Sequence, residues 1–259
     1  MSELARSFER AAEAYERGRP GYAETALDAV ALAPESVVLD LAAGTGKLTR
    51  QLVARFAHVI AVEPLDGMRE VLERLVPQAE AVSGGADAIP LAAGSVDAVF
   101  VGEAFHWFAT EAAVREIARV LRAGGRVAFA VWGPRARNPW LGVVLDAVGA
   151  QLGRPVPPPG IPGPFALEDS AELARLLSGA GLDDVAVSEV AVPLRAASFE
   201  EWWARTSALA GPLARILASL REDAARAIRD RAQAAVGRYW TPAGLELPGA
   251  SLLATGVRR

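Results

Sequence analysis

The sequence predicts an α/β protein: a mostly parallel seven-stranded sheet, helices on both faces, and an inserted helical cap. Three observations carry this. Short apolar, β-branched runs alternate with amphipathic stretches of about ten residues through the first half of the chain, the pattern of a parallel sheet covered on both sides. A glycine-containing turn, Gly44-Thr45-Gly46, directly follows the first run. The 259 residues are 52% hydrophobic, enough to bury a full core.

The elements follow in order. Leu4, Phe8, Ala11, Ala12 and Tyr15 are spaced for a helix over about 2–17, which Gly18-Arg19-Pro20-Gly21-Tyr22 breaks. A second helix is expected over 23–32, ended by Pro34. Strands are expected at 37–41, 58–62, 79–82 (weak), 96–101 and 126–132, with helices at 48–56, 65–75 and 111–121 between them. Thr110 suits the N-cap of the last helix, and Gly124-Gly125 its left-handed end. Gly153 to Pro164 holds six prolines and reads as a stiff linker or the edge of a lid. A helix at 170–180 and a strand at 185–194 follow. Ser198 and Glu201 are spaced as a capping box, and Leu213, Ile216, Leu217, Leu220, Ala224 and Ile228 line a long helix over 213–236. Residues 251–257 read as the seventh strand. Without an internal repeat, the chain reads as a single domain with a core over 36–133 and a variable half over 134–250.

Composition narrows the function. The formal net charge is −4, without the clustered positive excess of a nucleic-acid surface. There is no cysteine, which excludes disulfides, thiolate chemistry and zinc–cysteine sites. The opening MSELARSFER lacks an apolar stretch and does not read as a signal peptide. No apolar run reaches the roughly 18 residues of a membrane span. A cytoplasmic protein, monomer or homodimer, is expected.

The glycine turn has three competing readings. A phosphate-binding P-loop needs glycine five positions before Gly46 and a hydroxyl after its lysine; here these positions hold Leu41 and Leu48. A dinucleotide fingerprint needs a third glycine where Thr49 stands. A nucleoside fits better. Two glycines allow close backbone approach, Glu63 at the end of the second strand is placed to accept from ribose hydroxyls, and Asp87 after the third is placed to accept from an exocyclic amine.

The successive segments VLDLAAGTG, VIAVEP, GGADAIPLAAGSVDAVFVGEAFHWF and RVLRAGGRVAFAVWG, with YERGRPGY before them, resemble class I S-adenosylmethionine (SAM)-dependent methyltransferases of the small-molecule type with an AFHWF motif. The resemblance implies a Rossmann-like fold and SAM as cofactor, with S-adenosylhomocysteine as product. It implies that Gly44 and Gly46 lie against the methionyl part, that Asp40 supports the loop and the ammonium, and that Glu63 takes the ribose. Leu65 and Ile89 would flank the adenine, with Asp87 and the Ala88 backbone at its edge. Tyr15 and Arg19 would close the pocket. Glu103, at the exit of the fourth strand, is counted with the cofactor residues. One position departs from the pattern: Ala42 stands where many members carry glycine.

The expected reaction is methyl transfer to a small molecule, foremost a hydroxyl of a secondary metabolite. A SAM-fold enzyme of a non-methylating step, such as a cyclisation, and a non-catalytic SAM-binding module remain alternatives. Of the two histidines, His58 opens the second strand away from the ligand side, whereas His106 follows the fourth strand and is the candidate general base. Trp140, Trp202, Trp203 and Arg205 are candidates for an acceptor pocket or for buried packing. No metal site is expected from two distant histidines and no cysteine.

Overall fold

The computed structural model describes residues 16, 27–158, 161–209 and 211–259. Apart from Glu16, the expected helix over 2–17 lies outside them, as do residues 23–26 of the one over 23–32 and the candidates Tyr15 and Arg19.

A seven-stranded sheet is built from β1 (Val37–Leu41), β2 (His58–Val62), β3 (Glu80–Val82), β4 (Val96–Gly102), β5 (Leu121–Trp132), β6 (Asp183–Ala191) and β10 (Ala250–Val257), in the order β3-β2-β1-β4-β5-β10-β6. The first five strands pair in parallel, and β10 runs antiparallel between β5 and β6. The central strands are buried on both faces, and successive residues divide between two cores. Leu39, Val99, Val101, Val127 and Phe129 face one side, where helices α3 (Glu111–Val120) and α5 (Ser170–Gly179) cover them. Val38, Ala98, Phe100 and Ala128 face the other, under α1 (Lys47–Val53) and Leu27 and Val30. Helix α2 (Asp66–Leu75) packs beside the glycine turn through Leu72, with Ala43 and Ala61.

The second half builds its own buried cluster. Helices α4 (Pro139–Leu152), α6 (Phe199–Leu209), α7 (Gly211–Ser219) and α8 (Glu222–Val236) enclose Trp140, Val144, Trp202, Leu213, Ile228 and Ala232. A small antiparallel sheet of β7 (Leu194–Ala196), β9 (Gly244–Leu247) and β8 (Trp240–Thr241), in that order, completes it.

Several sequence expectations change here. The helix over 213–236 is two helices, because Arg221 is extended (φ −66°, ψ 152°) and α8 restarts on Glu222 and Asp223, acidic residues suited to a helix N-terminus. The apolar stripe continues across the break, so periodicity could not reveal it. The strand over 185–194 ends at Ala191; beyond Pro193 the chain joins the small sheet as β7. Helix α3 stops at Val120 with extended Leu121 as its cap, and left-handed Gly124 (φ 77°) lies within β5, where the register with β4 shifts and Gly124 N donates to Arg258 O. Thr110 caps α3 as expected, its hydroxyl accepting from Ala113 N. Helix α4 and the sheet of β7, β8 and β9 were not foreseen.

Candidate functional site

The strand order reverses between β1 and β4, and open α/β sheets bind ligands at the carboxyl ends of strands flanking such a switch. Four strand exits meet on that side: Ala42–Gly46 after β1, Glu63 after β2, Ser83–Ile89 after β3 and Glu103–Phe108 after β4.

The turn after β1 is left-handed at alternate residues, with φ 60° at Ala42, 59° at Gly44 and 87° at Gly46. Ala42 N and Ala43 N both donate to Val62 O, which ties the turn to the end of β2. Gly46 caps α1, and a Cβ there would meet Val76 Cγ2 at 3.0 Å and Leu72 Cγ at 3.2 Å, so both conformation and packing demand glycine. Ala42 pays for the same conformation: the left-handed region costs an L-residue about 1–2 kcal/mol. Ala42→Gly is therefore expected to stabilise the chain by about 0.5–1 kcal/mol, after allowance for the looser unfolded state. Thermal denaturation should show a rise of about 1–4 °C in midpoint; a lower midpoint would contradict the strain.

Glu63 is 4% exposed and grips this turn. Its Oε2 accepts from Gly44 N at 2.8 Å and its Oε1 from Leu65 N at 3.0 Å. Burial pushes its carboxyl above the usual value, outweighing the two backbone donors and nearby Arg69, which pull it down. Each oxygen takes one backbone donor and has a second acceptor position.

Asp40, buried at the end of β1, accepts from the Thr49 hydroxyl at 2.6 Å. The threonine that replaces the third glycine of a dinucleotide fingerprint thus anchors α1 to β1. From the other side, Glu16 accepts from the Thr45 hydroxyl at 2.6 Å and pairs with Lys47 at 3.1 Å and Arg50 at 3.2 Å. Burial raises the Glu16 pKa, but these three partners outweigh it and hold the carboxyl below its usual value. The lone lysine of the GTGK stretch is a structural ion-pair partner here. Nothing in the sequence singled out Glu16.

Leu65 is buried at the N-cap of α2, Ile89 is buried after β3, and Asp87 and Ala88 are exposed beside it. The loop is pinned by a pair on α3 that the sequence reading missed. Glu116 accepts from Ile89 N at 2.9 Å, while Arg119 forks onto Ile89 O and Leu91 O, both at 2.8 Å. Their i, i+3 spacing was the available signal.

After β4, Glu103 adopts φ 50° and is 6% exposed, with Ser251 Oγ donating to its Oε1 at 2.5 Å. A charged residue in that conformation at a strand exit marks stored strain of the kind found at working sites. His106 follows in the short 3₁₀ turn Phe105–Trp107, buried, its ring 4.8 Å from that of Trp107. Phe105 anchors the turn against Phe129 and Phe108. His58 is exposed at the opposite end of the sheet.

The cap candidates separate. Trp140 donates from Nε1 to Asn138 Oδ1, Arg205 bonds Arg195 O and Glu201, and Trp203 lies partly exposed under Arg229. Trp202 is fully buried.

Among known proteins, residues 39–129 match the family model described as a methyltransferase domain. An uncharacterized methyltransferase of Mycobacterium tuberculosis is 46% identical over 148 residues, covering 57% of this chain and 60% of that protein. The chain thus spans less than two thirds of the length of that relative. The malonyl-[acyl-carrier protein] O-methyltransferase of Methylococcus capsulatus is 42% identical over 106 residues, 39% of this chain and 38% of that protein. In structure, a putative methyltransferase from an antibiotic biosynthesis pathway of Anabaena variabilis superposes with a TM-score of 0.61 at 20% identity, covering 89% of this chain and 94% of that one. The fold is the Rossmann-like one of these proteins. Among the described residues, no helix is long and apolar enough to cross a membrane.

Proposed function

We propose that this chain is a SAM-dependent methyltransferase acting on a small molecule, foremost on a hydroxyl of a secondary metabolite. The observation that carries the reading is Glu63: a buried carboxylate at the end of β2, oriented by Gly44 N and Leu65 N, with acceptor capacity left for a ribose diol. The match to a methyltransferase domain over the same residues supports it.

The residues suit the group. The left-handed turn at Ala42, Gly44 and Gly46 lets the backbone approach the methionyl portion closely, and Asp40 offers negative charge near an ammonium. Leu65 and Ile89 supply apolar contacts for adenine, with Asp87 and Ala88 at its edge. Tyr15 and Arg19 are proposed to close this pocket, and Glu103 to border it. When bound, SAM supplies an activated methyl group on a sulfonium. The protein then contributes chiefly position, which effective-molarity arguments value at up to about 7–11 kcal/mol. The half over 134–250 is proposed to hold the acceptor. An oxygen acceptor accords with the name of the Methylococcus relative.

His106 is the proposed base where the acceptor loses a proton. His106→Gln is expected to lower kcat by about 10²–10⁴-fold with S-adenosylhomocysteine affinity unchanged; an intact kcat would remove it from that role. The reading as a whole is tested by calorimetry with SAM and S-adenosylhomocysteine, then by product mass across an acceptor panel. Failure to bind either ligand overturns the cofactor assignment. Binding without a gain of one CH₂ in any product would favour a non-methylating SAM-fold enzyme or a non-catalytic SAM-binding module.

A further inference from the structure

The buried cluster of the cap contains two polar atoms that make no hydrogen bond to the protein: Trp202 Nε1 and Thr206 Oγ1. Both residues are 0% exposed. They stand four positions apart on α6, so they share one face, one turn above the other. Buried donors without partners are rare, because each forfeits its bonds to water, and one in a native fold calls for a ligand, an ordered water or an ion. Two on the same helical face give that demand a direction.

Their surroundings define what can meet it. Trp202 packs against Phe199 and Trp203, with ring centroids 5.5 and 6.2 Å away, in the cluster that holds Trp140, Leu213 and Ile228. Trp140 in turn lies 4.8 Å from Trp132, the last residue of β5. Beside it, the exit of β4 is joined to β5 through Glu103 N and Ala130 O. The cluster is therefore continuous with the carboxyl ends of β4 and β5, the side of the candidate site. Trp140, by contrast, has its N–H satisfied by Asn138. The indole N–H is a donor only and the threonine hydroxyl can donate, so together they match an acceptor oxygen. No arginine or lysine is among the buried charged residues described, and Arg229, over the outer rings of Phe199 and Trp203, is partly exposed and paired with Glu200 at 3.1 Å, so a neutral oxygen suits the site better than a carboxylate.

We infer that Trp202 and Thr206 form an acceptor-recognition subsite that hydrogen-bonds a neutral carbonyl oxygen on an otherwise apolar small molecule. Calling that molecule the methyl acceptor rests on the function proposed above; the subsite itself does not. One or two hydrogen bonds of ordinary net strength give about tenfold discrimination against an analogue lacking the oxygen.

The test uses the full chain and two probes matched in size and planarity, acetophenone and α-methylstyrene, which carries =CH₂ in place of the carbonyl oxygen, with affinities from ligand-observed NMR titration. The wild type should bind acetophenone about tenfold more tightly, and Thr206→Val and Trp202→Phe should each erode that preference. Thr206→Val keeps side-chain volume and removes a hydroxyl that bonds nothing in the protein, so its thermal midpoint should hold or rise. Equal affinity for the two probes, no binding of either, or a preference that survives both substitutions overturns the subsite. A lowered midpoint for Thr206→Val with the preference intact assigns the two groups to a buried water and overturns it as well. S-adenosylhomocysteine binding, measured in parallel, reports separately on the proposed function and should be unchanged in both variants.

Discussion

Glu63→Gln is expected to weaken S-adenosylhomocysteine binding by about 10–100-fold, the equivalent of about 1.5–3 kcal/mol for hydrogen bonds to a charged group. The side chain has two roles. One is toward the protein: its two oxygens accept from Gly44 N and Leu65 N, one on each side of the proposed nucleoside pocket. The other is toward the ribose, through the remaining acceptor positions. Glutamine keeps the volume and one oxygen, but turns an NH₂ group toward one of the two backbone donors. The pH dependence follows from the sign of the pKa shift. Burial raises the folded pKa, so the folded protein holds this proton more tightly than the unfolded chain. The contribution of Glu63 to folding is thus most favourable in acid and declines as pH rises through the folded pKa. Ribose hydroxyls donate to the ionised form, so binding has the opposite trend and weakens as pH falls through that same raised pKa. Calorimetry across the acidic range should show this dependence in the wild type and its loss in Glu63→Gln. Equal affinity of the two proteins would remove Glu63 from the ribose role.

The cofactor side was legible from sequence because a parallel sheet writes itself plainly. Its strands are buried on both faces, so Val37–Leu41 and Val96–Gly102 read as continuous apolar runs, and its ligand-side turns fall directly after them. Glu63 and the glycine turn could be placed by counting along that pattern. The partners that hold them could not, since Glu16, Thr49 and Glu116 act across gaps in sequence that no period records. The cap was opaque for a related reason. Its helices are packed on one another and on a small sheet with strands of two to four residues, too short for alternation to register. The break at Arg221 left the apolar stripe unbroken, so one helix was expected where two exist. Trp202 and Trp140 look alike as sequence, and only their packing separates an indole with a partner from one without.

Asn138→Ala should cost about 3–5 kcal/mol of stability, a lowering of roughly 6–20 °C in the thermal midpoint at about 2–4 °C per kcal/mol for a chain of this size class. Asn138 is 0% exposed and joins the end of β5 to the start of β10 and to α4. Its Nδ2 protons are shared among Gly133 O, Pro134 O and Ala250 O at 3.1, 3.1 and 2.9 Å. Its Oδ1 accepts from Trp140 Nε1 and Ala250 N, each at 3.0 Å. Alanine strands two buried donors, Trp140 Nε1 and Ala250 N, and takes the side-chain donor from Gly133 O, whereas Pro134 O and Ala250 O keep Arg137 N and Gly133 N; each buried group left unpaired costs about 1–3 kcal/mol. Native domains hold only about 5–15 kcal/mol in all, so this one side chain accounts for a large share. Asn138→Asp discriminates the cause. Aspartate retains the acceptor for Trp140 and Ala250 N but turns a carboxylate oxygen toward the three carbonyls, so it should be no more stable than alanine. If Asp restores the midpoint, the donors of Asn138 are not what joins the strands. The glycine turn and Glu63 lie on β1 and β2, on the far side of β4, so S-adenosylhomocysteine affinity below the melting range should stay at the wild-type value in both variants. A loss of affinity that parallels the loss of stability would instead mean that the cap and the cofactor half unfold and bind as one cooperative unit.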